Sequence, residues 1–361
     1  MESTNGSNDS IIGPEFIPYS DAEATIRFVT YMIIMIPAII GNVIVISSFI
    51  VVPSMRKPFN LFILNLAVVD LITAIFRMGF NSISIATIRG AIWPYSPNLC
   101  QFNGWVQSIT FSANIHTLSM MAVLRYFVVI HKGTYNIGRR TVLITIAGIW
   151  LYSNAVALLP IFGWNHYQYQ PDEIACLPSW FKETGYPVFV IVVDVIIPLI
   201  ALIYCYTAIY IIVKKNSRRI RSIPDQGANT LALQQISRRE AHVSRAMFFV
   251  FLTFLICIGP YSIGVIFLYS VLNIWVGRDI AFILGSILNA NSTINPILYA
   301  FLYQRFRMAY YDVCYLCWNK VNFKLSSLCN LCYKRTHKII LVQESEIEVV
   351  KSRVTDLDAM K

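Results

Sequence analysis

The chain has 361 residues, of which 56% are hydrophobic and 13% charged, with a formal net charge of +10. A surface so poor in charge would leave large apolar patches in water, which excludes an ordinary soluble domain. The basic excess does not call for a nucleic-acid partner, because basic loops also face anionic lipid headgroups, and the sequence shows no constellation typical of an enzyme.

In chain order, residues 1–27 form a polar tail with Glu2, Asp9, Glu15, Asp21 and Glu23 and two glycosylation sequons, at Asn5 and Asn8. No basic-then-apolar leader opens the sequence, so the first span is expected to act as the insertion signal. A hydrocarbon core about 30 Å thick needs roughly 20 apolar residues per helix. Seven stretches reach that length, at 28–52, 60–87, 99–130, 141–162, 186–213, 247–272 and 280–303. The expected fold is an all-α membrane protein, a seven-transmembrane helix bundle over 28–303. Residues 304–361 follow as a short amphipathic eighth helix, lying along the membrane surface, and a tail.

Basic residues collect in alternate loops: Arg56 and Lys57, then Lys132, Arg139 and Arg140, then the run from Lys214 to Arg239. The positive-inside rule makes those loops cytoplasmic, so the expectation is a multi-pass plasma-membrane protein with its N-terminus outside and its C-terminus inside. Cys100 and Cys176 then fall outside, where oxidation is allowed, and a disulfide between them would pin the loop before the fifth span over the bundle mouth. Cys205 and Cys257 are mid-span and read as small packing residues. Asn42, Asp70, Asn114, Asn291, Ser292 and Asn295 are polar groups in four apolar helices. Each is costly in hydrocarbon unless it faces the bundle and finds a partner, so they are expected to converge on one buried site. That site reads equally as a hydrogen-bonded packing network or, around an ionised Asp70 with Asn114, Asn291 and Ser292, as hard oxygen ligands for sodium.

In succession the spans contain Gly41-Asn42, Leu66-Ala67-Val68-Val69-Asp70, Cys100 with Arg125-Tyr126 at the far end of the same helix, Trp150, Pro198 with Tyr206, Pro260, and Asn295-Pro296-Ile297-Leu298-Tyr299. One such landmark in each of seven spans, in this order, resembles the rhodopsin-like G-protein-coupled receptors, and the resemblance runs from about Phe28 to Arg307. It implies a heterotrimeric G protein as partner, with arrestin and receptor kinases as further candidates. Ser326, Ser327, Thr336, Ser345, Ser352 and Thr355 are candidate kinase targets. It also implies sodium at Asp70, G-protein contact at Arg125 and Tyr126, and rearrangement of Tyr206, Asn295, Pro296 and Tyr299 on activation. Ile115, Pro198 and Phe254 match the family's packing switch beneath the ligand. Two positions depart from the family. Leu124 replaces the acid that restrains the arginine, leaving Glu240 as the acid available from the sixth helix, and Ile258 replaces the usual tryptophan before Pro260. A freed Arg125 would raise ligand-independent signalling; the opposite reading is a decoupled binder, and a transporter or channel is the alternative from another class.

For the ligand, an extracellular small molecule or peptide, the resemblance to opsins and melatonin receptors is loose. Asn289 stands where opsins carry the retinal lysine, so no covalent cofactor is expected, and Gln107 stands where amine receptors carry an acid. Arg77 and Asp194 are intramembrane charges and so functional candidates. By family position they border an outer cavity with Gln107, Phe111, Tyr261 and Asn289. Arg77 would suit a ligand carboxylate or other acceptor, and Asp194 a donor or cation. His116 is read as a packing histidine. In the tail, Cys314 and Cys317, followed by Cys329 and Cys332, are read as palmitoylation sites beside membrane lipids, with zinc as the alternative.

Overall fold

Among the described residues, seven helices are long and apolar enough to cross a membrane, and they make up most of the chain. The computed structural model describes residues 18–90, 92–130, 137–179, 184–221, 228–268, 271–272 and 274–321, without side chains at 217, 219–221, 228–244 and 317–321. Asn5, Asn8, Cys329, Cys332 and the tail serines and threonines lie outside the described residues, as do the side chains of Glu240 and Cys317.

The helices are α1 (Asp21–Val51), α2 (Asn60–Ile88), α3 (Pro97–Ile130), α4 (Arg139–Trp164), α5 (Gly185–Asn216), α6 (Ala228–Tyr261, continuing through Ser262–Phe267), α7 (Arg278–Leu302) and α8 (Gln304–Val321). Hydropathy misplaces two starts. α1 begins at Asp21 because Ser20 and Glu23 form a capping box, Glu23 N–H donating to Ser20 Oγ at 3.3 Å and Ser20 N–H to Glu23 Oε2 at 2.8 Å. Its first charges are then paired to other helices, Asp21 with Arg89 just past α2 at 2.6 Å, and Arg27 with Asp279 and Glu23 with Arg278 of α7, the latter at 3.1 Å. α6 begins at Ala228, well before its apolar stretch, so its first turns project beyond the membrane-spanning part.

The all-α expectation gains one addition, an antiparallel hairpin of β1 (Tyr167–Gln170) and β2 (Ala175–Pro178). Alternation in Tyr-Gln-Tyr-Gln followed by Pro171-Asp172 is strand-and-turn chemistry that a search for spans passes over. The Cys100–Cys176 disulfide forms and ties β2 to the start of α3. The hairpin lies so close on α3 that a Cβ at Gly104 would stand 2.4 Å from the Tyr167 ring, so the approach needs glycine.

The core runs between the helices, with Phe62, Leu66, Ile115, Leu118, Phe254 and Tyr299 all buried. α7 packs on α1 at Gly41, whose missing side chain leaves room for Pro296. α8 buries Phe306, Ala309 and Val313, spaced as one helical face, and leaves Tyr311, Cys314 and Leu316 exposed. Its Phe306 ring meets Phe49 at 6.2 Å and Tyr299 at 5.6 Å, and its Tyr310 hydroxyl donates to the Pro296 carbonyl at 3.1 Å.

Candidate functional site

At the hairpin end a cavity of about 40 Å³ is lined by Arg77, Gln107, Phe111, Asp194 and Tyr261, with Leu177 of β2 among its walls. A second cavity of about 30 Å³ shares Arg77, Gln107 and Phe111 with it and reaches Asn114, Asn289, Asn291 and Ser292. All six residues expected at the ligand site therefore border these two neighbouring cavities, Asn289 the second of them. The backbone explains how both charges reach them. α2 widens at Thr73–Met78 and α5 at Ile191–Ile196 into turns of the π type, and Arg77 and Asp194 sit within those turns. Such bulges re-aim side chains and are frequent at functional sites.

Neither charge stands alone. Tyr152 donates to Asp194 Oδ1 at 2.7 Å, and the His116 Nε2 lies 3.8 Å from the same oxygen. His116, read from the sequence as a packing histidine, is thus a neighbour of the fifth-span carboxylate. The Arg77 guanidinium lies 5.6 Å over the Tyr261 ring, and the Tyr261 hydroxyl donates to Glu173 Oε2 at 2.5 Å. Glu173 comes from the turn between β1 and β2 and is buried. Sequence reading missed it; its place three residues before Cys176, in a loop the disulfide draws over the bundle, is the signal that could have found it.

The hairpin turn is held by several elements. Tyr19 donates to the Pro171 carbonyl at 3.1 Å, Trp275 Nε1 to Asp172 Oδ2 at 2.9 Å, and Tyr169 to the Gly90 carbonyl at 2.9 Å. Burial pushes the Tyr19 and Tyr169 hydroxyls well above the usual phenol range, so both remain donors across physiological pH. Against this closed arrangement several buried polar atoms around the cavities have no hydrogen-bond partner: Arg77 Nε, Gln107 Oε1 and both amide atoms of Asn289.

Deeper in the bundle five of the six polar residues expected to converge are joined by hydrogen bonds, and Asn291 borders the same cavity as Asn114 and Ser292. Asp70 Oδ1 accepts from Asn114 Nδ2 at 3.1 Å and Ser292 Oγ at 2.8 Å, and Oδ2 accepts from Asn295 Nδ2 at 2.8 Å. Asn42 joins by donating to the Ser292 carbonyl at 2.9 Å. The amide oxygens of Asn114, Asn291 and Asn295 are buried without a donor. Beside this network Trp150 Nε1 donates to Asn65 Oδ1 and Asn65 Nδ2 to Thr117 Oγ1, each at 2.8 Å, joining α4, α2 and α3.

At the opposite end the Arg125 guanidinium lies 5.7 Å over the Phe59 ring. Leu124 packs against the core. Tyr206 and Tyr299 are buried with hydroxyls that lack a partner, Tyr206 stacked on Phe251 at 5.3 Å. Tyr126, expected beside Arg125 in the switch, pairs its hydroxyl with Tyr204 of α5 at 3.2 Å.

Comparison with known proteins fits this geometry. The sequence model described as "7 transmembrane receptor (rhodopsin family)" matches residues 41–299. "Rhodopsin, GQ-coupled" of Mizuhopecten yessoensis is 27% identical over 95% of this chain and 70% of its own length. Melanopsin of Felis catus is 26% identical over 77% of this chain and 58% of its own length, and Opsin-3 of Mus musculus is 26% identical over 74% and 65%. The chain thus spans less than two thirds of the length of the last two. The crystal structure of squid rhodopsin has the same fold, with a TM-score of 0.74 at 23% identity over 82% of this chain and 88% of that one. With the landmarks of all seven helices in place and the family match spanning the bundle, the chain belongs to the rhodopsin family of seven-transmembrane, G-protein-coupled receptors.

Proposed function

We propose that the hairpin end of the bundle faces outward and takes a diffusible ligand, and that binding there shifts the Arg125 end toward a form that engages a heterotrimeric G protein in the cytosol. The observation that carries this is the set of buried, unpartnered atoms on Arg77, Gln107 and Asn289 around the two cavities. A buried polar group without a partner costs about 1–3 kcal/mol, so a ligand that offers both donors and acceptors there recovers that cost on binding. Asp194, already bonded to Tyr152, suits a ligand donor at its other lone pairs, and Arg77 an acceptor. The cavities hold only a few waters as they stand, so a ligand enters by lifting the hairpin turn from its contacts with Tyr261 and Trp275.

The opsin relatives raise the question of retinal, and the residues here do not fit it. α7 contains no lysine, and the amide of Asn289 cannot form a Schiff base. A hard cation is the second proposal: sodium would be held by Asp70 with buried amide oxygens of Asn114, Asn291 and Asn295, and the support for it is that these three oxygens have no hydrogen-bond donor. The orientation rests on the loop charges. The name of the scallop relative makes Gq the first partner to assay. Plasma-membrane residence, arrestin and receptor-kinase partners, sequon glycosylation at Asn5 and Asn8, and acylation at Cys314 and Cys317 complete the proposal.

The test is guanine-nucleotide exchange on a panel of purified G proteins, in membranes carrying this chain, its Arg125→Ala variant, or neither. Exchange above empty membranes that falls at least tenfold in Arg125→Ala is expected. Exchange equal in all three preparations, basal and with extracellular ligand libraries, would sink the reading of a coupled receptor.

A further inference from the structure

Two large grooves open on the lipid-facing flank, and they differ in charge. One, about 650 Å³ between α1 and α7 at the hairpin end, is lined by Ile26, Ile34 and Ile283 with Glu23, Arg27 and Asp279, and its arginine and aspartate are paired with each other. The other, about 780 Å³ between α5 and α6 at the opposite end, has a wall of Ile203, Tyr210, Phe248, Phe249 and Leu252, and its charged lining residues are Lys214 and Arg245. Lys214 of α5 and Arg245 of α6 both border this groove beside its apolar wall, at the end of the bundle opposite the hairpin. Among the described residues neither meets a carboxylate. Lys214 Nζ is turned to its own helix, 3.5 Å from the Tyr210 hydroxyl and 5.4 Å over that ring. Tyr206 also lines this groove, is 95% buried by its 5% exposure, and has a hydroxyl without a partner.

We propose that the α5–α6 groove is a binding site for one anionic phospholipid, its phosphate on Lys214 and Arg245 and one acyl chain against Phe248, Phe249 and Leu252. The apolar wall would accept the chain of any phospholipid, so the two cations set the choice of headgroup. Each basic side chain near an anionic surface contributes about 1 kcal/mol, and two together correspond to a preference of about tenfold or more for anionic over zwitterionic lipid. Anionic lipid is concentrated in the cytosolic leaflet, so a supply of this ligand rests on the orientation proposed above. The occupied groove would place a lipid chain on Tyr206, whose unpartnered hydroxyl belongs to the switch end of the bundle.

The experiment is native mass spectrometry of the full chain in mixed micelles containing equal phosphatidylserine and phosphatidylcholine. Micelles have no leaflets, so failure here condemns the groove and leaves the orientation standing. Wild type is expected to retain one phosphatidylserine at about tenfold preference. Lys214→Ala with Arg245→Ala should abolish the preference, and Thr207→Trp, which fills the groove from an exposed position, should lower retention of both lipids. Arg139→Ala with Arg140→Ala removes two exposed cations outside the groove and should change neither. An equal loss in that control pair, or undiminished retention in Thr207→Trp, would assign the binding to diffuse surface charge and overturn the site. Each variant is first shown to unfold at the wild-type temperature.

Discussion

Asp70 concentrates more of the chemistry than any other residue of the bundle. Its two oxygens already accept from Asn114, Ser292 and Asn295, while three amide oxygens around it remain without donors. On the proposed cation site a sodium ion would supply what those oxygens lack, and a ligand that binds only the folded state at about ten times its Kd stabilises it by roughly 1.4 kcal/mol. Exchanging potassium for sodium at constant ionic strength should therefore raise the Tm of the wild type by a few degrees, and Asp70→Asn should remove the difference. The same sodium effect in the variant, or none in the wild type, would leave a plain hydrogen-bonded network. This cluster was legible in the sequence because isolated polar residues in apolar helices have nowhere to go except toward one another. Glu173 was not: its burial against Tyr261 depends on how a hairpin turn is folded over the bundle, which no helical periodicity encodes. The same holds for the Asp194, Tyr152 and His116 group, whose meeting depends on the wide turn in α5.

Among the elements, the hairpin and α3 are the pair whose fit is tightest. Cys100 and Cys176 join them, Tyr167 lies over Gly104, and the Tyr167 hydroxyl continues on to the Ala157 carbonyl of α4 at 2.7 Å. A Cβ at residue 104 would overlap the ring, and overpacking of this kind costs about 1–3 kcal/mol. Gly104→Ala should lower the unfolding temperature, and adding Tyr167→Ala should recover part of the loss, since the clash then has no second party. A Gly104→Ala protein as stable as wild type would show that the hairpin shifts without cost, and with it the lid over the cavity. The spans themselves could be read from apolar length alone, since seven of them needed no partner to be recognised. Their ends could not. α1 starts early because Ser20 caps it and its charges find partners at the end of α2 and on α7, and α6 starts at Ala228, ahead of its apolar stretch, and a hydropathy window registers neither.

At the scale of the whole molecule the two ends must be coupled for a ligand under the hairpin to be felt at Arg125, and on the proposed function the resting balance between them would be set by what restrains that arginine. The usual acidic neighbour is Leu124, which packs against the core, and the guanidinium lies over the face of Phe59 among its contacts. Nearby, the hydroxyls of Tyr206 and Tyr299 are buried without partners, a cost that a rearranged switch end can relieve by bringing polar groups to them. Both features raise the resting form relative to the signalling form, so basal exchange should be high. Restoring the acid reverses one of them. A charge-assisted hydrogen bond is worth about 1.5–3 kcal/mol, so Leu124→Asp should reduce basal exchange by about tenfold or more, with Leu124→Asn as the control that loses the same packing without gaining the charge. A fall in Leu124→Asp alone attributes the basal signal to the missing carboxylate. Equal rates in wild type and Leu124→Asp, or an equal fall in both variants, would place the resting restraint elsewhere in the bundle.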